Sequence, residues 1–116
     1  MQYNNLTMGV TKTEIFNDEQ NTIALIAKAI GHPARVAILQ YIIKANACIC
    51  GDLVDEIGLA QPTISQHLKE LKNIDIIKGN IEGTSVCYCI NQEKWDEIEA
   101  LFTSFFQKTK GTITCC

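Results

Sequence analysis

Gln61-Pro-Thr-Ile-Ser-Gln-His-Leu-Lys-Glu-Leu-Lys72 spells a short amphipathic helix with an apolar seam and a polar leading face. Ile64, Leu68 and Leu71 recur at helical spacing and stack on one side, while Thr63, Ser65, Gln66 and Lys69 project from other faces. Pro62 falls where a helix start tolerates it, because its missing N–H would be unpaired in the first turn anyway; the helix begins at or near Gln61. Hydroxyl, amide and ammonium groups on the first two turns are the chemistry that reaches base edges and phosphates in a major groove. By itself the pattern also describes an ordinary solvated helix, so its neighbours decide.

Upstream, Ile49-Cys-Gly-Asp-Leu-Val-Asp-Glu-Ile-Gly58 repeats the helical spacing at Leu53, Val54 and Ile57 and closes on a glycine suited to a left-handed stop. Helix, glycine-containing turn and helix make a helix-turn-helix. Downstream, Ile76-Ile-Lys-Gly-Asn-Ile-Glu-Gly-Thr-Ser-Val-Cys-Tyr-Cys-Ile90 predicts two short strands around a Gly/Asn-rich turn, with Val86, Tyr88 and Ile90 alternating against Cys87 and Cys89. A hairpin directly after the second helix makes a wing.

Gly31-His-Pro-Ala-Arg-Val-Ala-Ile-Leu39, the Cys48-Ile-Cys50 pair ahead of Gly51-Asp-Leu53, the Gln61–Lys72 helix and Gly83-Thr-Ser-Val-Cys-Tyr88 together resemble the ArsR/SmtB family of winged-helix metalloregulatory repressors. The resemblance runs from about residue 20 to about residue 108. It implies a mainly α fold with a small β-hairpin wing (α+β), a dimeric winged helix-turn-helix that binds palindromic operator DNA and is not an enzyme. The residues expected to meet DNA are Gln61, Thr63, Ser65, Gln66, Lys69, Lys72 and, on the wing, Lys78.

A chain of 116 residues suits one small domain. We expect an N-terminal tail over 1–13, the DNA-binding and dimerisation domain over 14–108 and a cysteine-containing tail over 109–116. With no charged leader followed by an apolar run and no stretch of membrane-spanning length, neither secretion nor membrane residence is expected, and the location implied is cytoplasmic. The net charge of −3 argues against a protein that grips nucleic acid by bulk electrostatics, but its distribution is uneven. Lys28, Arg35 and Lys44 have no acid between them and Lys69, Lys72 and Lys78 follow the reading helix, whereas acids gather at Asp52–Glu56 and Glu93–Glu99. A basic face on an acidic body binds DNA with modest, salt-sensitive affinity.

Two further helices carry strong apolar stripes: Glu14 to Ile30, through Ile15, Phe16, Ile23, Ile26, Ala27 and Ile30, and Asn91 to Lys108, through Trp95, Ile98, Leu101, Phe102, Phe105 and Phe106. Such stripes pack within one chain or between two; the resemblance implies that the first and last helices form a two-fold interface. Between them, Pro33 to about Asn46 forms a helix expected to turn Val36, Leu39, Ile42 and Ile43 inward. Arg35 and His32 stand at its start as support or phosphate contacts, with His32 expected to be a satisfied, partly buried histidine, and His67 is expected to pack rather than read bases.

The six cysteines form close pairs, Cys48/Cys50, Cys87/Cys89 and Cys115/Cys116, in a chain whose apolar content needs no disulfide framework, so reduced thiols are the expected state. A Cys-x-Cys pair converges on one ion if its first member precedes the regular helix, and a helix N-terminus lowers thiol pKa. Thiolates select soft ions, among them trivalent arsenic or antimony, cadmium, lead, zinc and monovalent copper. Trivalent arsenic is satisfied by three sulfurs, so Cys48 and Cys50 with one of Cys115 and Cys116 would suffice. The resemblance supports As(III) or Sb(III) as the inducer, because the family's arsenic sensors place cysteines before the segment matching Gly51-Asp-Leu53 and other members recruit a terminal tail. The chain departs from that pattern in having no cysteine at Leu53-Val54, so the third ligand comes from elsewhere. The family's histidine-containing zinc and nickel site has no counterpart in Asn91–Lys108, and its N-terminal cadmium/lead cysteines have none in residues 1–47. Cys87 and Cys89 are expected on the wing, away from Cys48, as small half-buried strand residues. A thiol redox or sulfide switch on the same fold, and a thiol enzyme or metal carrier, are the competing readings; the absence of Cys-x-x-Cys and of a histidine suited to pair with a nucleophile opposes the last.

Overall fold

The computed structural model describes residues 12–50, 53–80, 87–109 and 111. A short 3-10 helix (Lys12–Ile15) leads into α1 (Asp18–Ile30) and α2 (Pro33–Ala45), then β1 (Ile49–Cys50), α3 (Leu53–Ile57), α4 (Gln61–Asn73), β2 (Ile77–Asn80), β3 (Cys87–Ile90) and α5 (Gln92–Gln107). The mainly α fold with a small β wing expected from the sequence is what is found.

The single helix expected over Glu14 to Ile30 is in fact interrupted. Asn17 caps α1 through its side chain, which accepts from the Gln20 N–H at 2.7 Å, while Gln20 returns the bond to the Asn17 N–H at 3.0 Å. This reciprocal cap satisfies helix-end donors and stops the helical stripe short, leaving Ile15 and Phe16 outside it and exposed. His32 caps α2, its Nδ1 accepting from the Ala34 N–H, and Pro33 follows in the first turn. At the other end Asn46 takes a left-handed conformation (φ 52°) and donates to the Ile42 and Ile43 carbonyls.

Ten residues form the central core: Ile38, Leu39 and Ile42 of α2, Leu53 of α3, Ile64, Leu68 and Leu71 of α4, then Ile76, Ile77 and Tyr88. Burying each α4 seam residue contributes about 1.5–3 kcal/mol. Helix α2 is apolar on more than one face, and the core takes the stripe through Ile38 and Ile42. Val36 and Ile43, expected inward, therefore lie on the other stripe and are exposed.

Among the described residues the sheet has three strands, not two, in the order β1-β3-β2 with both pairings antiparallel. The expected hairpin is present as β2 and β3, with Ile77 opposite Ile90 and Gly79 opposite Tyr88. β1 adds to the far edge of β3, setting Ile49 opposite Tyr88 and Cys50 opposite Cys87. Gly79 (φ 126°) is required where it stands: a Cβ would collide with the Cys87 carbonyl and lie 2.8 Å from the Tyr88 Cα.

Candidate nucleic-acid interface

Helix α3 ends at Gly58 (φ 84°), whose N–H bonds the Val54 carbonyl at 2.8 Å, and α4 starts shortly after with Pro62 in its first turn. Ile64, Leu68 and Leu71 fix α4 by one face, so the opposite face is presented outward. Thr63, Gln66 and Lys69 are exposed there, as are Gln61 and Lys72; Ser65 is half-buried. Gln61 donates to the Ser65 hydroxyl at 3.1 Å and Gln66 to the Glu70 carboxylate at 3.2 Å, which holds both amides along the helix. Lys72 has a different position from the rest. Its Nζ donates to the Gly79 carbonyl at 2.7 Å, tying the last turn of α4 to the wing, while Lys78 stands exposed on β2.

Behind the polar face His67 is buried, as expected, and it has a partner the sequence did not disclose. Arg35 Nε donates to His67 Nδ1 at 3.0 Å and Arg35 Nη1 to the Ala29 carbonyl at 2.8 Å, while the His32 ring lies 4.5 Å from that of His67, on a residue that is exposed rather than partly buried as expected because it caps the outer end of α2. One guanidinium thus joins the end of α1 and the start of α2 to the middle of α4. Burial, then the neighbouring His32 and Arg35, push the His67 imidazole below its ordinary pKa against a weaker opposite pull from Glu70. The neutral ring is the form that accepts the Arg35 bond.

The cysteines require a correction. Cys87 and Cys89 are not remote from Cys48: pairing of β1 with β3 brings the exposed Cys48 side chain into hydrogen bonding with the half-buried Cys89 thiol. That bond and burial raise the Cys89 thiol above its ordinary pKa, while Lys78 draws it down. Cys87 is disulfide-bonded, against the expectation of reduced thiols throughout, whereas Cys48 and Cys89 are free. Cys115 and Cys116 lie outside the described residues, as does the side chain of Cys50, and among the described residues no three Cys, His, Asp or Glu side chains converge as metal ligands. Cys89 is the residue that the sequence reading misplaced. The signal available was the matched Cys-x-Cys spacing of 48/50 and 87/89.

A short helix, a glycine turn, an outward-facing second helix and a β wing define a winged helix-turn-helix, a DNA-binding module. Residues 32–78 match the family model described as bacterial regulatory protein, arsR family. An uncharacterised HTH-type transcriptional regulator of Methanocaldococcus jannaschii is 41% identical over 76 residues, spanning 65% of this chain and 84% of that protein. The arsenical resistance operon repressor of Staphylococcus xylosus is 30% identical over 76 residues, 66% of this chain and 72% of that one. The crystal structure of NolR from Sinorhizobium fredii superposes with a TM-score of 0.59 at 19% identity, covering 89% of this chain and 97% of that one, which supports the fold. The chain belongs to the ArsR/SmtB family of transcriptional repressors, regulators rather than enzymes. Among the described residues no single helix is long and apolar enough to cross a membrane.

Proposed function

We propose that this chain is a cytoplasmic, homodimeric repressor that leaves a palindromic operator when trivalent arsenic or antimony binds its cysteine thiolates. The observation that carries this reading is the place of Cys48 directly before, and Cys50 on, the strand that enters the helix-turn-helix and pairs with the wing strand. An ion held there is joined through covalent bonds to the elements that meet DNA. The likeness to an arsenical resistance operon repressor supports the same inducer class.

Dimerisation follows from what one chain leaves uncovered. Helix α5 has no fully buried residue, and Phe105 and Phe106 on it, with Ile15, Phe16 and Leu25 near and on α1, are exposed. Lys108 Nζ lies 3.6 Å from a Glu19 carboxylate oxygen, placing the end of α5 beside the start of α1 and the exposed apolar surface of both within reach of one partner. Covering it with a second copy sets two α4 helices at a fixed spacing, which a palindrome matches. Thr63, Gln66 and Lys69 are the groups that reach the groove, with Gln61 and Ser65 beside them and Lys72 and Lys78 toward the backbone phosphates.

Binding of operator and inducer are then linked, and each weakens the other by the same factor. Fluorescence anisotropy of labelled operator, titrated with the reduced protein with and without arsenite, tests this. Arsenite raises the operator Kd of the parent and leaves that of a cysteine-free variant unchanged; equal displacement of both defeats the proposal. The disulfide at Cys87 favours one second reading, a thiol switch in which a peroxide takes two thiols to a disulfide and two waters. DNA release by peroxide without arsenite, reversed by a dithiol, distinguishes it.

A further inference from the structure

The sequence leaves the third sulfur ligand unplaced, and the sheet offers one. In an antiparallel ladder, directly opposed residues have Cβ atoms about 4.5–5.5 Å apart, and residues two apart share a face. The register sets Cys50 opposite Cys87 and Ile49 opposite Tyr88. One step further along the same ladder Cys48 meets Cys89, where their side chains hydrogen-bond. Cysteines therefore occupy alternate rungs, and the rung between them, Ile49 with Tyr88, belongs to the core, Tyr88 being 2% exposed. This alternation gives the two Cys-x-Cys runs a shared physical reason: the middle residue of each packs inward, and the opposed cysteines line up across the pair.

We propose that the wing completes the inducer site, with Cys89 joining Cys48 and with the rung of Cys50 and Cys87 supplying the remaining sulfur to one trivalent arsenic or antimony ion. This rests on the arsenic-responsive reading and replaces the tail cysteines as the source of the third ligand. A pair of strands offers its sulfurs from one side. That suits a pyramidal ion, which takes three sulfurs on one side and keeps its lone pair on the other, better than zinc, whose tetrahedron needs a fourth ligand from the opposite side. Lys78 stands opposite Cys89 in the β2–β3 register. The chemistry balances without oxidation: arsenous acid and three thiols give the tris-thiolate and three waters. Cys87 must first be a thiol, which a small-molecule thiol achieves by exchange, taking the disulfide into itself. Bound ion then clamps the wing strand to β1, and the clamp reaches α4 through the Lys72 bond to Gly79.

The test uses the full, reduced chain and arsenite. X-ray absorption at the arsenic edge is expected to count three sulfurs, and mass mapping after alkylation to find Cys48 and Cys89 protected by arsenite. Cys89→Ser is expected to lose more arsenite affinity than the roughly 10–100-fold that loss of a mere supporting partner of a ligand costs, while keeping operator binding. Cys115→Ser with Cys116→Ser is expected to bind arsenite like the parent. Free alkylation of Cys89 in the arsenite-loaded parent overturns the wing ligand whether or not the variant folds. If in addition the tail variant loses arsenite, the wing site is wrong while the arsenic reading stands. A parent that binds no arsenite overturns both.

Discussion

Helices α4 and α5 are both amphipathic and of similar length, yet the chain treats them in opposite ways. Helix α4 buries Ile64, His67, Leu68 and Leu71 against α2 and the sheet, whereas α5 buries none of its side chains fully and touches the core only along Trp95 and Ile98. A helix sealed on its apolar side has one orientation and presents its polar side as a fixed template. A helix with an uncovered apolar side is a surface for another molecule. On the proposed dimeric reading, the two halves of a repressor's task are separated in energetic terms: α4 is set by the fold of one chain, and pairing through α5 depends on concentration.

The largest effect that exposes this contrast comes from truncating the seam. Leu68→Ala removes a side chain that is 1% exposed and is expected to cost about 2–5 kcal/mol of stability in urea unfolding at fixed protein concentration. Phe106→Ala, at 68% exposure, is expected to leave the stability of the single chain within about 0.5 kcal/mol and to shift the monomer–dimer equilibrium measured by sedimentation. Equal losses of stability from both would erase the distinction. On the polar side of α4, Gln66→Ala is expected to relax base preference by about 1–3 kcal/mol if the amide makes a bidentate contact, while Lys69→Ala weakens all sequences alike; discrimination unchanged in the Gln66 variant would count against its role.

A smaller effect concerns pH. The folded state lowers the His67 pKa below its ordinary value of about 6.5, so the unfolded chain takes up its proton first as pH falls. The stabilisation is complete above that value and is lost progressively as pH falls through the lowered folded value. Protonation removes the Nδ1 acceptor from Arg35 and loosens α4 from the start of α2. Urea midpoints measured from pH 7.5 down to about 5 are expected to fall more steeply for the parent than for His67→Asn.

Much of this architecture is legible locally. The seam at Ile64, Leu68 and Leu71, the proline-led starts of α2 and α4, and Gly58 as a stop each act within a few residues of chain, and all appear where the pattern places them. The split of the first helix was also local, in the Asn17–Gln20 capping box, but the apolar stripe running across it pointed the other way. What stayed hidden was nonlocal. Ile49–Cys50 is too short to show alternation, and its pairing with β3 joins residues almost forty apart, so Cys48 and Cys89 gave no sign of meeting except their matched spacing. The Arg35–His67 bond is hidden for the same reason, since it spans 32 residues between different helices. The outward side chains of α4 were legible as a set, whereas the bond of Lys72 to Gly79 depends on where the wing turns back.

The brevity of β1 has a consequence for solubility. Strand β3 is paired along its length by β2 and, at Cys87 and Tyr88, by β1, which leaves little of its edge to recruit a foreign strand. On the β1 side the exposed border is only the two residues Ile49–Cys50 long, too little backbone to seed a continuous intermolecular ribbon. A sheet this small is guarded at that margin by a strand barely long enough to qualify as one.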